Sequence, residues 1–377
     1  MPTGDIAVTR VRSASEHRTF CDLPHALYRG DPCWVPPLRQ TERSRWSARH
    51  NPSLGSRWVE RFIARQDRSI VGRIAAVVDS DFATRWEPHS GFFGFFESVD
   101  DTRVASALLE TAESALRTQG RTGVFGPVNL TMHDEVGLLV EGFESRSMLL
   151  SPYNPPWYEG LLTDAGYACW TDYQSFSWDL ERSTSPAAQR IVQRLARGTA
   201  PGGVRLRHSD PRHWIDEGRT LLDVYNRSFA DVWGFVPLSW HEYLSRASQF
   251  RKFYRPELAV FAEVDGRMVG FALALPDVNE ALATIGGRLW PFGWLRLARA
   301  IPRIQSARFI LLGVLPEFAG RGIAVLLAHR TAMAARDLGI ERAELSLVQV
   351  TNERIRRVID AFGGRPLKTY RLFHKAL

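Results

Sequence analysis

The sequence predicts an α/β protein made of two tandem copies of one unit, each with a mixed central sheet flanked by helices. Three observations lead to this prediction: the composition, a repeated hairpin and a repeated short helix. The chain has 377 residues, which is enough for two domains of ordinary size. Hydrophobic residues make up 45% and charged residues 24%, a balance typical of a soluble globular protein with a core.

The first repeated segment predicts a β-hairpin early in each copy. Residues 64–76 read ARQDRSIVGRIAA and residues 262–274 read AEVDGRMVGFALA. Both fit the pattern A-x-x-D-x-x-x-V-G-x-x-x-A, and they lie 198 residues apart. An aspartate that starts a turn between two apolar stretches is typical of a hairpin.

The second repeated segment predicts a short helix late in each copy. Asn154 and Asn352, also 198 residues apart, each begin a segment that ends in glycine. Asparagine is favoured as an N-cap, and glycine is favoured just after a helix ends. Between hairpin and helix each copy carries a strand–helix–strand unit, and a final strand follows. We therefore predict domains at 1–182 and 183–377, joined near ERSTSPAAQR.

The charge and cysteine content narrow the function classes. The net charge is +7 and the pI is about 9.6, which favours anionic partners such as phosphate-bearing cofactors or acidic lipids, or a plain solvated basic surface. Three cysteines without a C-x-x-C pair indicate a reducing, cytoplasmic setting in which they are buried and inert. The sequence shows neither an apolar stretch of about 20 residues nor a signal peptide. No zinc pattern is present, so we expect no metal.

A glycine-containing turn in the second copy predicts an anion site. The segment RFILLGVL predicts a strand before Pro316, and AVLLAHRTAMAARDLG predicts a helix, with Gly320 and Gly322 at the junction. A helix N-terminus presents about four unpaired N–H groups and a partial positive charge, which suit a phosphate or pyrophosphate. The turn has no G-K-[ST], which a Walker loop needs, and no third glycine, which the dinucleotide fingerprint needs. An ordinary strand–helix turn is the alternative.

Residues 319–324 resemble the acetyl-CoA motif Q/R-x-x-G-x-G/A of the GNAT superfamily of N-acyltransferases, and the predicted element order also matches. The resemblance implies two GNAT-like domains and acetyl-CoA or a longer acyl-CoA as co-substrate. It implies that Gly313, Val314 and Leu315 pair with pantetheine along a splayed strand, and that Asn352 faces the pantetheine arm. The residues expected to grip the pyrophosphate are Ala319, Gly320, Arg321, Gly322, Ile323 and Ala324.

Two positions depart from the GNAT pattern. Ala319 replaces the usual Gln or Arg, although main-chain N–H groups do most of the gripping. Ile359 stands where many GNAT enzymes carry a general-acid tyrosine. In the first copy, ESVDDTRVAS replaces the glycine turn, with two aspartates and no glycine. We therefore expect the first copy to be a degenerate GNAT-like domain that shapes the acceptor cleft and does not bind CoA.

Over nearly its whole length the chain is also similar to a group of long bacterial GNAT proteins, the bacterial ceramide synthase-like family. That similarity implies N-acylation of a long-chain amine from a fatty acyl-CoA. The segments that carry it are YRGDPCWVPPL, GFFGFFE, MHDEVGLLVEGF, YNPPWY, WGFVPL, ALPDVNEAL and LLGVLPEFAGRGI.

Amine acylation needs a carboxylate that takes a proton from the ammonium, and N–H donors, such as those of Val314 or Leu315, for the oxyanion. We rank Asp277 and Glu135 first as bases because both lie on loops shared with the family. Glu344, on one strand face with Ser346, and Asp134 follow. Each has a salt bridge or a turn cap as its alternative role. Tyr370 is a proton donor or a packed strand residue. The predicted substrate-binding residues are Asn279, Tyr153, Asn154 and Trp233.

Residues 288–303 have the pattern of a helix that lies on an anionic membrane, or of a surface helix packed on a core. We therefore expect a cytoplasmic monomer or homodimer, with peripheral contact to the inner face of the membrane left open. The expected partner is a small-molecule or lipid-like amine, and no nucleic acid is expected. Two other functions stay open: an aminoacyl-tRNA-dependent transferase on the same tandem fold, and a non-catalytic CoA-binding protein.

Overall fold

Contacts among residues divide the chain into two units. The computed structural model describes residues 4–180 and 203–377, and between these ranges only residues 186, 189, 190, 192 and 193. Unit 1 comprises Met1–Tyr173, Ile285–Trp294 and Lys368–Leu377, and unit 2 comprises Gln174–Thr284 and Leu295–Leu367. The predicted join near residues 181–190 lies almost wholly outside the described residues, so the boundary at 182 stays a prediction.

Unit 1 contains a mixed sheet in the order β1-β2-β3-β4-β5-β13, with β6 also paired to β13. The β4–β5 pair is parallel, whereas the other pairs described in this unit are antiparallel. The strands are β1 Ile6–Arg10, β2 Arg57–Gln66, β3 Ser69–Asp79, β4 Ser90–Ser98, β5 Gly123–Gly126, β6 Leu138–Glu141 and β13 Arg365–Ala376. The helices are α1 Ala14–Asp22, α2 Pro24–Leu27, α3 Arg39–Ser44, α4 Ser80–Arg85, α5 Thr102–Thr118 and α6 Tyr158–Asp164. Strand β7, Ala168–Asp179, begins in unit 1 and ends in unit 2, and β13 begins in unit 2 and lies in unit 1 from Lys368 onward.

Unit 2 contains a mixed sheet in the order β8-β9-β10-β11-β12, in which β11 and β12 are parallel. The strands are β8 Arg205–His208, β9 Ala259–Val264, β10 Arg267–Pro276, β11 Ser306–Val314 and β12 Arg342–Gln349. The helices after β7 are α7 Trp214–Ser228, α8 Trp240–Phe250, α9 Asn279–Leu282, α10 Gly293–Ala300, α11 Ile323–Asp337 and α12 Glu353–Ala361. The predicted α/β class, with a mixed sheet and helices in each copy, is confirmed.

Both predicted hairpins are present. Strands β2 and β3 are joined by a two-residue turn in which Asp67 has φ = 54°. Strands β9 and β10 are joined in the same way, with Asp265 at φ = 50° and Gly266 at φ = 76°. Aspartate tolerates this left-handed backbone better than most residues, which explains why it recurs at the same place in both copies.

The repeat extends to individual hydrogen bonds. In unit 1, Val99 N–H donates to Val71 O at 2.9 Å. In unit 2, Leu315 N–H donates to Val269 O, also at 2.9 Å. The acceptors Val71 and Val269 are the valines of the repeated motif and lie 198 residues apart. The two copies therefore share not only their element order but also the register of their central strands.

Helix α5 forms the core of unit 1 through apolar residues at helical spacing. Val104, Leu108, Ala112 and Leu116 recur every four residues and are almost completely buried. In unit 2, α11 buries larger aliphatic residues near its start and small residues further along, among them Ala328, Ala332 and Ala335. Small side chains let this helix lie close to the sheet, so the start of α11 is held beside the end of β11.

The C-terminal strand is fixed in unit 1 by a buried charge cluster. Lys375 Nζ donates to Glu113 Oε1 at 2.8 Å and lies 5.3 Å from the centre of the Tyr167 ring. The Tyr167 hydroxyl donates to the same carboxylate oxygen at 3.1 Å. Because the Glu113 side chain is only 4% exposed, these contacts and a 3.5 Å pair with Arg117 take the place of solvent around its carboxylate.

We expect Lys375→Met to lower the free energy of unfolding by about 2 kcal/mol, because it leaves a buried carboxylate without its ammonium. Urea denaturation checks this, with Lys252→Met as the matched control, since Lys252 is exposed. Equal stability of the two variants would show that the Lys375–Glu113 pair does not hold the strand.

Candidate active site

Two parallel strands of unit 2 separate part-way along their length. Strands β11 and β12 form four ladder pairs, the last joining Phe309 to Leu345, although they continue to Val314 and Gln349. No further ladder pair joins the two strands anywhere in the described ranges. We call this opening the fork and its closed end, at Phe309, the vertex.

The register against β10 decides which main-chain groups of β11 face the fork. The Leu315 N–H donates to Val269, so the adjoining ladder pair, which contains Val314, is a non-hydrogen-bonded pair. Residues along an antiparallel strand alternate between the two kinds of pair. The N–H and C=O of Val314 and Leu312 therefore point into the fork, whereas those of Gly313 point towards β10.

Of the three residues predicted to pair with pantetheine, only Val314 has main-chain groups that face the fork. Val314 faces the fork, but the Gly313 backbone faces β10 and the Leu315 N–H already donates to β10. Gly313 has a packing role instead, because a Cβ there would lie 2.7 Å from the Phe271 ring. Leu312, two residues before Val314 on the same strand, also faces the fork and was not among the predicted residues.

The glycine turn, residues 319–324, leads into an uncapped helix. Gly320 and Gly322 have φ of +78° and +79°, a left-handed backbone that favours glycine. Gly322 is the N-cap of α11; it has no side chain to cap the first turn, which also contains no acidic residue. The first intrahelical bond runs from Leu326 N–H to Gly322 O, so the N–H groups before Leu326 lie at the helix end. A Cβ at Gly320 would meet no atom within 4 Å, so the turn has room for a ligand.

Arg321 adds a positive charge beside these N–H groups. Its guanidinium donates to Glu317 O at 3.3 Å and lies 4.9 Å from the centre of the Phe318 ring. Ala319, the first residue of the turn, has an extended conformation and offers no side-chain donor. Most of the hydrogen-bond donors that the turn offers are thus main-chain N–H groups, as expected for an anion site.

In unit 1 the corresponding helix end is occupied by the protein's own carboxylate. Asp101 is the N-cap of α5 and accepts a hydrogen bond from Arg103 N–H at 2.9 Å. It also accepts from the Arg103 guanidinium at 2.7 Å, and this pairing lowers the pKa of Asp101. A bound phosphate would meet this negative charge, so the helix end is unsuited to a second anion.

The fork of unit 1 is filled from within as well. Strands β4 and β5 separate after three ladder pairs, and the following insertion supplies Val128 N–H to Phe93 O at 2.8 Å. The Asn129 side chain accepts from Phe95 N–H at 2.7 Å. Ser98, which holds the place of Val314, donates its N–H to the Tyr158 hydroxyl at 2.8 Å. These contacts support the prediction that the first copy does not bind CoA.

Glu135 and Asp134 belong to this insertion in unit 1. Glu135 pairs with Arg45 at 3.1 Å and accepts from Asn129 Nδ2 at 2.8 Å. Burial by itself would raise the pKa of Glu135, but Arg45 and the hydrogen bonds outweigh it and hold the pKa below its usual value. Asp134 accepts from the Thr131 hydroxyl at 2.7 Å. A stabilised carboxylate such as Glu135 is a poor base, so we assign it the salt-bridge role.

Asp277 lies at the opposite end of β11 from the glycine turn. Its N–H donates to Ser306 O at 2.9 Å, and its carboxylate accepts from Asn279 N–H at 3.3 Å. Val314 lies eight residues beyond Ser306, which is roughly 25 Å at about 3.3 Å per residue. Asp277 and Asn279 therefore form a turn at the start of α9, and this placement argues against Asp277 as the base.

Glu344 lies beside the vertex in unit 2. Its ladder partner is Arg308, one pair before the strands separate, and both residues are almost completely buried. Arg308 Nε donates to Ser346 Oγ at 2.6 Å. Ladder partners share a sheet face, so Glu344, Arg308 and Ser346 form a buried polar cluster. The expectation that Glu344 and Ser346 share a face is confirmed.

The model of the Acetyltransferase (GNAT) family matches residues 220–363, which contain the fork and the glycine turn. A protein from Caulobacter vibrioides named bacterial ceramide synthase is 34% identical over 99% of this chain and 98% of its own length. The chain belongs to the tandem-GNAT family of bacterial ceramide synthase-like proteins. Protein YghO from Escherichia coli K12 is 30% identical over 96% of this chain and 93% of its own.

Solved structures show the same tandem GNAT fold. A tandem GNAT protein from the clavulanic acid pathway matches with a TM-score of 0.57 and 14% identity, over 99% of this chain and 98% of its own. A GCN5-related N-acetyltransferase from Sphaerobacter thermophilus matches with a TM-score of 0.53 and 13% identity, over 98% of this chain and 95% of its own. At these identities the structures establish the fold alone.

The two repeated asparagines of this GNAT chain have different roles. Asn352 is the N-cap of α12, and its side chain accepts from Ile355 N–H at 3.3 Å, as predicted. The N-cap prediction for Asn154 was wrong, because α6 begins only at Tyr158. Asn154 instead accepts from Leu139 N–H at 2.7 Å and donates to Leu139 O at 3.0 Å. Prolines at 155 and 156 follow it and delay the helix.

The other predicted substrate residues fall in different units. Tyr153 is in unit 1 and donates to Asp31 Oδ2 at 2.6 Å, and burial raises the pKa of its hydroxyl. Trp233 is half-buried in unit 2, in the loop between α7 and α8. The Asn226 amide fixes this loop by two hydrogen bonds to the Leu238 main chain, each 3.0 Å long.

The two positions considered for a proton donor, Ile359 and Tyr370, are both buried. Ile359, at the usual GNAT tyrosine position, is 3% exposed and packs with Phe176 and Val348. Tyr370 is fully buried on β13 in unit 1, where it pairs with Leu139, so the packed-strand alternative holds. Ile359 has no acidic hydrogen and so offers no proton donor in unit 2.

The cysteine prediction was correct for one residue only. Cys21 is buried, which raises the pKa of its thiol to about 11, but Cys33 is half-buried and Cys169 is exposed. Within the described ranges we find no group of three or more His, Cys, Asp or Glu side chains that could hold a metal ion. No helix in those ranges is long and apolar enough to cross a membrane.

We expect Tyr158→Phe to lower the free energy of unfolding by about 1–3 kcal/mol, because it removes the acceptor of Ser98 N–H and a hydrogen bond to buried Glu97. Urea denaturation measures the change. Tyr243→Phe is the matched control, since its hydroxyl makes no hydrogen bond among the described residues. Unchanged stability of Tyr158→Phe would mean that the unit 1 fork is not held by this hydroxyl.

Proposed function

We propose that unit 2 binds an acyl-CoA and transfers its acyl group to a primary amine. The observation that carries the proposal is the order of features along the chain: a fork with inward-facing main-chain groups, then the glycine turn, then an uncapped helix. An anionic group at the helix end and an extended, amide-bearing arm in the fork together describe CoA. Membership of the GNAT family supports the same donor.

The direction of the arm follows from the positions of the two fork-facing residues. Val314 is the last residue of β11 before the glycine turn, and Leu312 lies about 7 Å nearer the vertex. With the pyrophosphate at the turn, an extended pantetheine arm pairs with Val314 as an added strand would. The thioester then reaches the Leu312 N–H, to which we assign stabilisation of the oxyanion.

The chemical step needs one carboxylate and no covalent intermediate. Glu344 takes a proton from the ammonium, and the freed amine attacks the thioester carbonyl to form the C–N bond. The C–S bond then breaks, CoA leaves as a thiolate, and the nitrogen gives its remaining surplus proton to solvent to become the amide. Because Ile359 has no acidic hydrogen, that thiolate takes its proton from solvent. Glu344 is the base we propose because it is the candidate in unit 2 beside the vertex.

We propose an amphiphilic amine as the acceptor. The support is the name of the Caulobacter relative, a ceramide synthase that is 34% identical over the full chain. The acyl chain is proposed to be long for the same reason. A second function is favoured by one observation: with Ile359 buried in the core, unit 2 lacks the usual proton donor and fits a CoA-binding protein without turnover.

Gly320→Asp is expected to weaken CoA binding at least tenfold relative to Gly320→Asn, because a carboxylate would face the pyrophosphate. Both side chains tolerate the left-handed backbone at this position and have the same shape, so only the charge differs. Calorimetric titration with CoA, acetyl-CoA and palmitoyl-CoA measures the affinities and the stoichiometry. We expect one CoA per chain, and preference for palmitoyl-CoA would favour a lipid acceptor.

If Gly320→Asp and Gly320→Asn bind CoA with equal affinity, the glycine turn does not contact the pyrophosphate. A stoichiometry of two would contradict the filled fork of unit 1. If wild type binds none of the three compounds, the acyl-CoA donor is wrong and the aminoacyl-tRNA alternative takes its place.

We expect Glu344→Gln to lower kcat about a hundredfold or more while CoA affinity stays within a factor of about three, since the amide cannot accept the proton. Product formation from palmitoyl-CoA and a long-chain amine is followed by mass spectrometry. Asp277→Asn is the matched control and should leave kcat within about threefold of wild type. Full activity of Glu344→Gln would exclude it as the base, and absence of product from wild type with any amine would favour the CoA-binding protein.

A further inference from the structure

A cluster of exposed aromatic side chains lies in the insertion between β10 and β11. Trp290 is 81% exposed, Phe292 67% and Trp294 52%. The described residues contain eight exposed large hydrophobic side chains, and three of them fall within these five positions. We call residues 290–294 the aromatic tip. Clustering of this kind is unusual on a soluble surface and marks a binding site.

The aromatic tip has a fixed base. Trp294 N–H donates to Leu289 O at 2.9 Å, which closes the loop behind the tip. Gly293 contacts the Arg288 carbonyl so closely that no Cβ would fit there. At the start of the segment, Gly287 packs in unit 1 against Pro37 O, where a Cβ would lie 2.6 Å away. The aromatic side chains therefore project from an anchored loop.

Positive charge follows the tip along the chain. Arg288, Arg296, Arg299 and Arg303 are all exposed, and none has an ion-pair partner among the described residues. There is no acidic residue from position 281 to 316. Since α10 runs from Gly293 to Ala300, Arg296 and Arg299 lie on one side of this helix. Residues 288–303 thus combine exposed aromatic side chains with arginines that have no ion-pair partner among the described residues.

We propose that residues 288–303 attach the protein peripherally to an anionic lipid bilayer. Tryptophan and phenylalanine place their rings at the boundary between headgroups and acyl chains, and arginine forms bidentate contacts with lipid phosphates. The aromatic tip enters the interface, and the arginines bind the surface around it. Neither part is large, so the attachment is reversible and needs both.

Charge complementarity favours the bilayer over other occupants. A second copy of this chain is also basic, with a net charge of +7, and would bring repulsion to the arginines. The proposal goes beyond the acyl-transfer reaction and does not depend on it, because vesicle binding is measured without acyl-CoA. If the proposed reaction and the proposed attachment are both correct, the enzyme meets an amphiphilic amine at the bilayer surface in which that amine lies.

The test is flotation of the full-length chain with vesicles of phosphatidylcholine alone and of phosphatidylcholine with about 30% phosphatidylglycerol. Binding is expected with the anionic vesicles, and it should weaken as salt rises. Trp290→Ser/Phe292→Ser should lower the partition coefficient about tenfold or more. Arg296→Gln/Arg299→Gln should also lower it about tenfold or more, since each cation near the surface counts.

The matched controls replace exposed apolar and arginine side chains outside residues 288–303. Met333→Ser/Leu338→Ser replaces two other exposed apolar residues, and Arg336→Gln/Arg342→Gln removes two other exposed charges. Both controls should float as wild type does. Melting temperature and CoA affinity of the tip variant should equal those of wild type, which shows that it is folded.

Three outcomes overturn the proposal. The first is absence of binding to the anionic vesicles, or equal binding by the tip variant. The second is a dimer that forms without lipid and that Trp290→Ser/Phe292→Ser converts to a monomer, as measured by light scattering. That result would mean that the aromatic tip binds a second copy of the chain. The third is tip-dependent binding of a single-stranded oligonucleotide without binding to vesicles.

Discussion

The hydrogen bond from Leu315 N–H to Val269 O sets the register on which the candidate site depends. Because a strand alternates with a period of two, this bond turns the main chains of Val314 and Leu312 into the fork and that of Gly313 towards β10. A shift by one residue would reverse all three. It would also push a side chain into the space where Gly313 admits the Phe271 ring. The site is therefore a consequence of pairing between two strands, not of any one side chain.

The two copies share this register, and yet only one keeps an open fork. Unit 1 forms the same bond between Val99 and Val71, but its fork and helix end are occupied by the protein itself. Tyr158 supplies the acceptor for Ser98 N–H, and the Asp101 carboxylate takes the place of an anion. Unit 1 thus has the same fold, but its own side chains and main chain fill the fork and the helix end.

Placement also decided between carboxylates that look equivalent in the sequence. Glu135 and Asp277 were ranked first because both lie on loops of shared segments, but that criterion carries no distance. Arg45 holds Glu135 in an ion pair, and Asp277 forms a turn at the far end of β11. Glu344, predicted from strand alternation, is the one beside the vertex. Strand periodicity reports a geometric relation between residues, whereas loop membership does not, so it placed Glu344 on the same strand face as Ser346.

The sequence by itself determined the repeated unit, the hairpins and the glycine turn. These follow from short-range preferences: aspartate and glycine at left-handed turn positions, and apolar residues at the period of a strand or helix. The same preferences misplaced the Asn154 cap, because two prolines there delay α6 and the side chain bonds to Leu139 instead. Only the tertiary structure decided which β11 groups face the fork, what fills the first copy, and which carboxylate stands near the vertex. Those depend on pairing between segments far apart in the chain, which local sequence pattern does not encode.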